Sequence, residues 1–327
     1  MRDLLRQSPT EVWLVVVLGV LALVLSLSSN QFASIVNVTD LLNTSAISII
    51  FAMGLLVVLI SGAIDISFAV AASVVQYVTA MALISLGGGN WVFGFMIAAG
   101  IGILLMSINA ALIYHFRIIS IVVTIATFNA FFGLLMFFTR GVSIYNLPDW
   151  WTDRIILWER ESASGTWAEI TLPVAVMAAC VVLTFILISY TSTGRQLYAY
   201  GDNPEGARRI GINAAAQHYI AFGWLGLMLG VAGLMQVNYA QEVVPNALYG
   251  RELDVLAATV LGGARLGGGR GTVFGVVLGV ILIAVTENGL NLLGVSPYAF
   301  KMVVGAIILA AIILSNVSLE RWAVRRA

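Results

Sequence analysis

The stretch VWLVVVLGVLALVLSL, Val12–Leu27, holds no charged residue over its whole length, and a second stretch, Met302–Leu314 (MVVGAIILAAIIL), behaves in the same way. Neither alternates polar with apolar residues, as a barrel strand must over about 10 residues. Such unbroken runs approach the roughly 20 apolar residues that carry a helix across a bilayer. The composition agrees: 60% of the 327 residues are hydrophobic and 10% are charged, whereas a water-soluble domain carries about 25% charged residues to wet its surface. In hydrocarbon every backbone N–H and C=O must be satisfied internally, so only helices or closed barrels span. The runs select helices, and the chain reads as an all-α membrane protein.

Candidate spans fall near residues 12–29, 42–61, 66–86, 91–114, 120–139, 170–190, 217–239, 254–264, 271–287 and 298–316. The eighth is too short for a full crossing. It is either a half-helix or a span continued through the glycines after it. Ser28-Ser29-Asn30-Gln31 follow the first run without a small-x-small cleavage site, so that run reads as a retained span. Ten alternating crossings with both termini cytoplasmic place eleven of the 16 basic residues inside: Arg2, Arg6, Arg117, Arg195, Arg208, Arg209, Arg265, Arg270, Arg321, Arg325 and Arg326. Arg140, Arg154, Arg160, Arg251 and Lys301 fall outside, an asymmetry that follows the positive-inside rule. Without the short eighth span the final two crossings would reverse.

The chain forms one transmembrane domain over residues 1–327, with two long loops. Residues 140–169, on the periplasmic side of this topology, hold Trp150, Trp151, Trp158 and Trp167. They suit an interfacial aromatic belt or a docking surface for a partner. Residues 191–216 face the cytoplasm. A faint internal echo pairs Gly100 and Asn109 with Gly279 and Asn288 at the same spacing.

Several chemistries lack their residues. Lys301 is the single lysine and lies between Phe300 and Met302, so no Gly-Lys-Ser/Thr loop exists to hold nucleotide phosphates. The run Gly262–Gly271 therefore reads as a tight turn that lets backbones approach. His115 and His218 stand far apart in sequence, without metal-ligand spacing, and Cys180 lies inside an apolar run. No metal or cofactor site and no catalytic cluster is expected.

Polar residues inside apolar stretches cost free energy and call for a partner or a pathway. Ser61-Gly62-Ala63-Ile64-Asp65-Ile66-Ser67 reads as a helix break with a new N-cap, or as part of an opening and closing pathway. Asn43, Asp65, Ser67, Gln76, Asn109, Asn129 and Asn288 are the pathway candidates. Mostly neutral hydrogen-bonding groups suit a polyol better than an ion. Interhelical hydrogen bonding is the alternative.

The segment Asp202–Asn213 predicts a short helix outside the bilayer. Asn203 supplies an N-cap and Pro204 a first helical position. Glu205 in the first turn and Arg208-Arg209 in the last agree with the helix dipole, and Gly211 ends the helix. With Asp202 and Ala207 it is either a solvated loop helix or a docking knob.

At these residues the sequence resembles the ribose-type permease family of bacterial ABC importers. Gly62–Ser67 is similar to that family's Gly-Gly-Ile-Asp-Leu-Ser, and Thr193–Gly201 with Asn203–Ala207 to its cytoplasmic coupling loop. Glu252–Gly263 followed by Gly269-Arg270-Gly271, and Asn288–Ser296, complete four segments in the family's order. Ala63 and Phe68 stand where glycines are usual, and Phe68 points to a modified pathway wall. The resemblance implies a non-enzymatic pore-forming subunit in the bacterial inner membrane, paired with a second permease chain, identical or related. ATP is then bound by separate ATPase subunits that grip residues 202–213. A periplasmic sugar-binding protein delivers a pentose, hexose or related furanose. The rival readings are an ion-coupled secondary transporter, with Asp65 as its candidate carboxylate, and an ABC permease for branched-chain amino acids.

Overall fold

The computed structural model describes residues 9–162, 165–296, 299–303, 305, 306 and 309. In chain order the elements are α1 (Pro9–Ser28), α2 (Ile35–Ile60), α3 (Phe68–Ser85), α4 (Trp91–Phe116), α5 (Ser120–Thr139) and the single turn α6 (Asp149–Thr152). A β-hairpin follows, β1 (Ile156–Glu161) and β2 (Trp167–Thr171), then α7 (Leu172–Tyr190), α8 (Ser192–Asp202), α9 (Pro204–Arg209), α10 (Ala214–Ala240), α11 (Arg251–Leu261) and α12 (Val273–Leu292). Among the described residues eight helices are long and apolar enough to cross a membrane: α1, α2, α3, α4, α5, α7, α10 and α12. The span expected at 298–316 lies largely outside the described residues, although 299–303 are helical.

The middle of the bundle is α2, buried at every position from Ile49 to Ile60 and packed against α7, α10, α11 and α12. A helix apolar all round is either buried in protein or faces lipid, and α2 is buried in protein. Two crossings are made backbone to backbone. On α4 and α10, a Cβ at Gly102 would lie 2.2 Å from the Gly226 carbonyl oxygen, and one at Gly230 would lie 2.7 Å from Ala98. On α11 and α12, a Cβ at Gly279 would lie 2.2 Å from the Ala258 oxygen. Small residues four apart are how helices associate where lipid removes the hydrophobic drive. The echo between Gly100 and Gly279 is not structural, because Gly100 faces open space.

The short eighth span resolves as the half-helix α11, preceded by non-helical chain that runs beside the long helices. After α10, residues 241–250 carry no helix. They begin at the hairpin end, where Val243 pairs with Ile144, and Tyr249 packs between Phe128 and Phe132, midway along α5. The half-helix α11 follows, and its 11 residues cover only about 16 Å. Non-helical backbone survives at this depth only when buried in protein and hydrogen-bonded. Gln76 Nε2 donates to the Val244 oxygen at 3.1 Å, and the Gly250 N–H donates to Glu252 at 3.0 Å. Arg251, expected in the outer loop, instead starts this half-helix.

The class is therefore mostly helical, not purely so. The hairpin projects from the end of the bundle, with all six β1 residues exposed. The tryptophans separate into two kinds. Trp151 is buried and donates to the Leu234 oxygen at 2.9 Å, and Trp150 donates to the Gly88 oxygen at 3.1 Å. Trp158 and Trp167 remain exposed on the hairpin.

Candidate functional site

The α8–α9 loop is built as its sequence reads, with one more helix than expected. Thr191 caps α8 through the Gly194 N–H, at 3.0 Å. Asn203 caps α9 through the Gly206 N–H, at 2.9 Å. At the other end Gly211, at φ 91°, lets its N–H reach the Arg208 oxygen at 3.1 Å and the Ile212 N–H reach the Ala207 oxygen at 3.0 Å. Those two bonds form a Schellman closure. Ala207 is the buried root, packed with Tyr200, Ala214, Tyr114 and Ile212. Asp202 ends α8 and so precedes α9, whereas Pro204, Glu205, Arg208 and Arg209 lie on its outer face. The Glu205–Arg209 pair, at 2.6 Å, is exposed on both sides and adds little stability. Beyond it Ile210 is 77% exposed, a large apolar tip between charges.

Beneath this loop three segments meet. The α2 C-terminus leaves carbonyls without helical partners, and the Gly269 N–H donates to the Ile60 oxygen at 2.9 Å. Gly201 of α8 touches the same carbonyl, since a Cβ there would lie 1.8 Å from it. From α8, Tyr198 Oη donates to the Gly271 oxygen at 2.6 Å. Burial pushes the Tyr198 hydroxyl up to about 12, so it stays a donor at neutral pH.

Next to this contact the α2–α3 break holds Asp65, Ser67 and Asn109 in one buried cluster. Asp65 Oδ1 accepts from the Ser67 N–H at 2.6 Å and the Ser67 hydroxyl at 2.8 Å, and Oδ2 accepts from Asn109 Nδ2 at 2.9 Å. Burial raises the Asp65 carboxyl above its ordinary range, while hydrogen bonds from Ser67 and Asn109 pull it back. The break falls where the sequence reads it, but Ser67 at the N-cap position of α3 makes no side-chain cap bond, and Asp65 instead closes the turn before the helix through Ser67. The break also reaches α5, where Ser120 Oγ accepts from the Ile64 N–H at 2.9 Å. Phe68 packs on Phe51, ring centroids 5.5 Å apart, and is fully buried. It fills the core between α2 and α3 and does not wall an opening.

The remaining pathway candidates do not converge with these three. Asn43 holds the hairpin to α2, with Nδ2 donating to the Glu169 oxygen at 2.8 Å and Oδ1 accepting from Thr171 Oγ1 at 2.7 Å. Gln76 serves the non-helical chain before α11. Asn288 and Asn37 exchange amide hydrogen bonds at 2.9 and 3.0 Å, joining α12 to α2. Asn129 is exposed on α5 and donates to the Ile125 oxygen of its own helix. The sequence reading places Gly201 and Tyr198 in the segment similar to a coupling loop and Ile210 in the short helix segment, but gives none of the three a role of its own. The one signal for the first was the glycine density at 262–271, which announced close backbone approach without naming the partner. The two histidines, distant in sequence, share Tyr114, whose ring centroid lies 5.2 Å from His115 and 6.2 Å from His218.

The chain is thus a bundle of long apolar helices with a half-helix, α11, and a capped helical knob, α9, at one end. A family model described as branched-chain amino acid transport system / permease component matches residues 37–312, and the chain belongs to that permease family. Relatives run along nearly its whole length. The ribose import permease protein of Bacillus subtilis is 31% identical over 91% of this chain and 90% of its own. The L-arabinose transport system permease protein of Escherichia coli is 31% identical over 93% of this chain and 89% of its own. The autoinducer 2 import system permease protein of Photorhabdus luminescens is 30% identical over 89% and 85%. No solved structure matches.

Proposed function

We propose that this chain is the membrane-spanning permease subunit of an ATP-driven importer that carries a monosaccharide, a pentose, hexose or related furanose, into the cytoplasm. It works as one domain over residues 1–327, in the bacterial inner membrane, with ten crossings and both termini cytoplasmic. A second permease chain, identical or related, completes the pathway. A periplasmic sugar-binding protein delivers substrate at the hairpin end. The chain brings no cofactor of its own, and ATP binds to separate ATPase subunits at α8–α9.

The observation that carries this reading is α9. A six-residue helix closed by a cap at each end, rooted by Ala207 and tipped by exposed Ile210, is rigid enough to seat in a groove of a soluble partner. Its outer residues Asp202, Asn203, Pro204, Glu205, Arg208 and Arg209 then form the rim of the contact, with Gly211 fixing its exit. The named sugars of the relatives support a sugar as cargo. The family description favours branched-chain amino acids as the second reading.

The test is co-expression of the tagged chain with its genomic neighbours. A Walker-type ATPase should co-purify, and Glu205→Lys with Arg208→Glu should release it. Recovery of the chain without an ATPase from an intact operon would sink the importer reading. The co-encoded binding protein then decides the cargo: tight binding of leucine or isoleucine, and none of a sugar, would move it to the second reading.

A further inference from the structure

Resting on the importer reading above, we propose that Gly201 of α8, Gly268 and Gly269 of the glycine loop, and Ile60–Gly62 at the end of α2 form a closed joint. The joint passes displacement of the α8–α9 loop to the α2–α3 break and moves as one body throughout the cycle.

The argument begins with what the joint lacks. At Gly201 and Gly268 the three segments meet backbone to backbone, with no side chain of their own to separate them. A Cβ at Gly201 would lie 1.8 Å from the Ile60 oxygen and 2.7 Å from the Gly269 nitrogen. One at Gly268 would lie 2.6 Å from the Gly201 oxygen and 2.7 Å from Gly62 Cα. Gly62 and Gly268 hold φ of 88° and 84°, a region that side chains disfavour. The Gly269–Ile60 hydrogen bond and the Tyr198–Gly271 hydrogen bond, at 2.9 and 2.6 Å, bridge the parts. Side chains change rotamer within nanoseconds and absorb small shifts. Backbones in contact have no such slack.

The far side of the joint is equally short. Two residues after Gly62, the Ile64 N–H bonds to Ser120 at the start of α5, and Asp65 bonds to Ser67 before α3 and to Asn109 on α4. A displacement arriving at Gly62 therefore reaches three membrane-crossing helices within five residues of chain. Coupling can travel through packed, hydrogen-bonded and rigid elements in contact, and the joint supplies such a link between the loop and the break.

The experiment uses the purified permease–ATPase complex with Cys180→Ala and a reporter, Ile119→Cys, exposed beside Ser120. Maleimide labelling of the reporter is followed with and without a non-hydrolysable ATP analogue. The parent should change its labelling rate by about fivefold or more, the low end of ordinary coupling free energies. Gly201→Ala should keep the ATPase bound but lose most of that change. Tyr198→Phe, which preserves packing and removes one bridge, should lose part of it. Gly100→Ala, whose Cβ meets open space, should match the parent. Labelling indifferent to nucleotide in the parent overturns the proposal. So does a full nucleotide response in both Gly201→Ala and Tyr198→Phe, or release of the ATPase by Tyr198→Phe, which would make this region a docking surface. If Gly201→Ala does not fold, Tyr198→Phe decides alone. Failure of the parent to hold any ATPase is a different result and counts against the importer reading itself.

Discussion

At the scale of single residues, Asp65 and Tyr198 are held by hydrogen bonds whose direction can be tested. Asp65 accepts from Ser67 on one oxygen and from Asn109 on the other. Asp65→Asn turns an amide donor toward an existing donor, which leaves a buried group unpaired at about 1–3 kcal/mol. The thermal midpoint in detergent should drop, and Asp65→Asn with Asn109→Asp should recover part of the loss. Burial pushes the Tyr198 hydroxyl from its ordinary 10.0 up to about 12. A folded pKa raised above the unfolded one gives stability that is present below the unfolded value and lost as pH climbs through the folded value. Between about pH 10 and 12 the wild-type midpoint should fall more steeply than that of Tyr198→Phe. Parallel curves would show that burial does not raise the Tyr198 hydroxyl in the folded chain. Both Asp65 oxygens are engaged, one by Ser67 at the break and one by Asn109 on α4, which weakens the ion-coupled reading.

At the scale of elements, what could be read from sequence was local. The caps of α9, the helix break at 61–67 and the long apolar spans all declare themselves within a few residues, because helix signals repeat every three or four positions. The joint beneath α8 does not. Gly62, Gly201 and Gly268 are spread over two hundred positions, and a glycine carries no mark of the backbone it will touch. The hairpin was missed because its strands are short, with β1 exposed throughout, and lack the alternation that marks a half-buried strand. Asn43 likewise looked like a pathway residue, whereas it ties α2 to β2. The α4–α10 crossing offers a direct check. Gly226→Ala would place a Cβ 2.5 Å from the Gly102 oxygen, and such overpacking costs about 1–3 kcal/mol. Gly223→Ala, in open space on the same helix, should leave the thermal midpoint unchanged or raise it. Equal effects would mean that the crossing is looser than described.

At the scale of the whole molecule, the ends of the bundle are chemically distinct. One end gathers α8, α9, the glycine loop and the close of α2. The other gathers the hairpin, the open of α2 and the close of α12. In a Cys180→Ala background, Glu159→Cys on the hairpin should react with an impermeant maleimide in spheroplasts with intact inner membranes. Arg208→Cys on α9 should react only after the membrane is opened. The reverse pattern would invert the topology, and the ATPase contact at α9 would then be impossible.

The half-helix α11 and the chain before it also bear on biogenesis. An 11-residue helix that opens Arg251, Glu252, Leu253, Asp254 cannot leave an insertion channel for lipid by itself, because each charge near mid-depth opposes partitioning by about 2.5–3.5 kcal/mol. Its non-helical half, residues 241–250, would meet hydrocarbon with bare amides. Both halves need α3 and α12 already beside them, the first for Gln76 and the second for the Ala258–Gly279 contact. On the ten-crossing reading proposed above, residues 241–261 enter the bilayer only after α12 is made, beside the neighbours that shelter them.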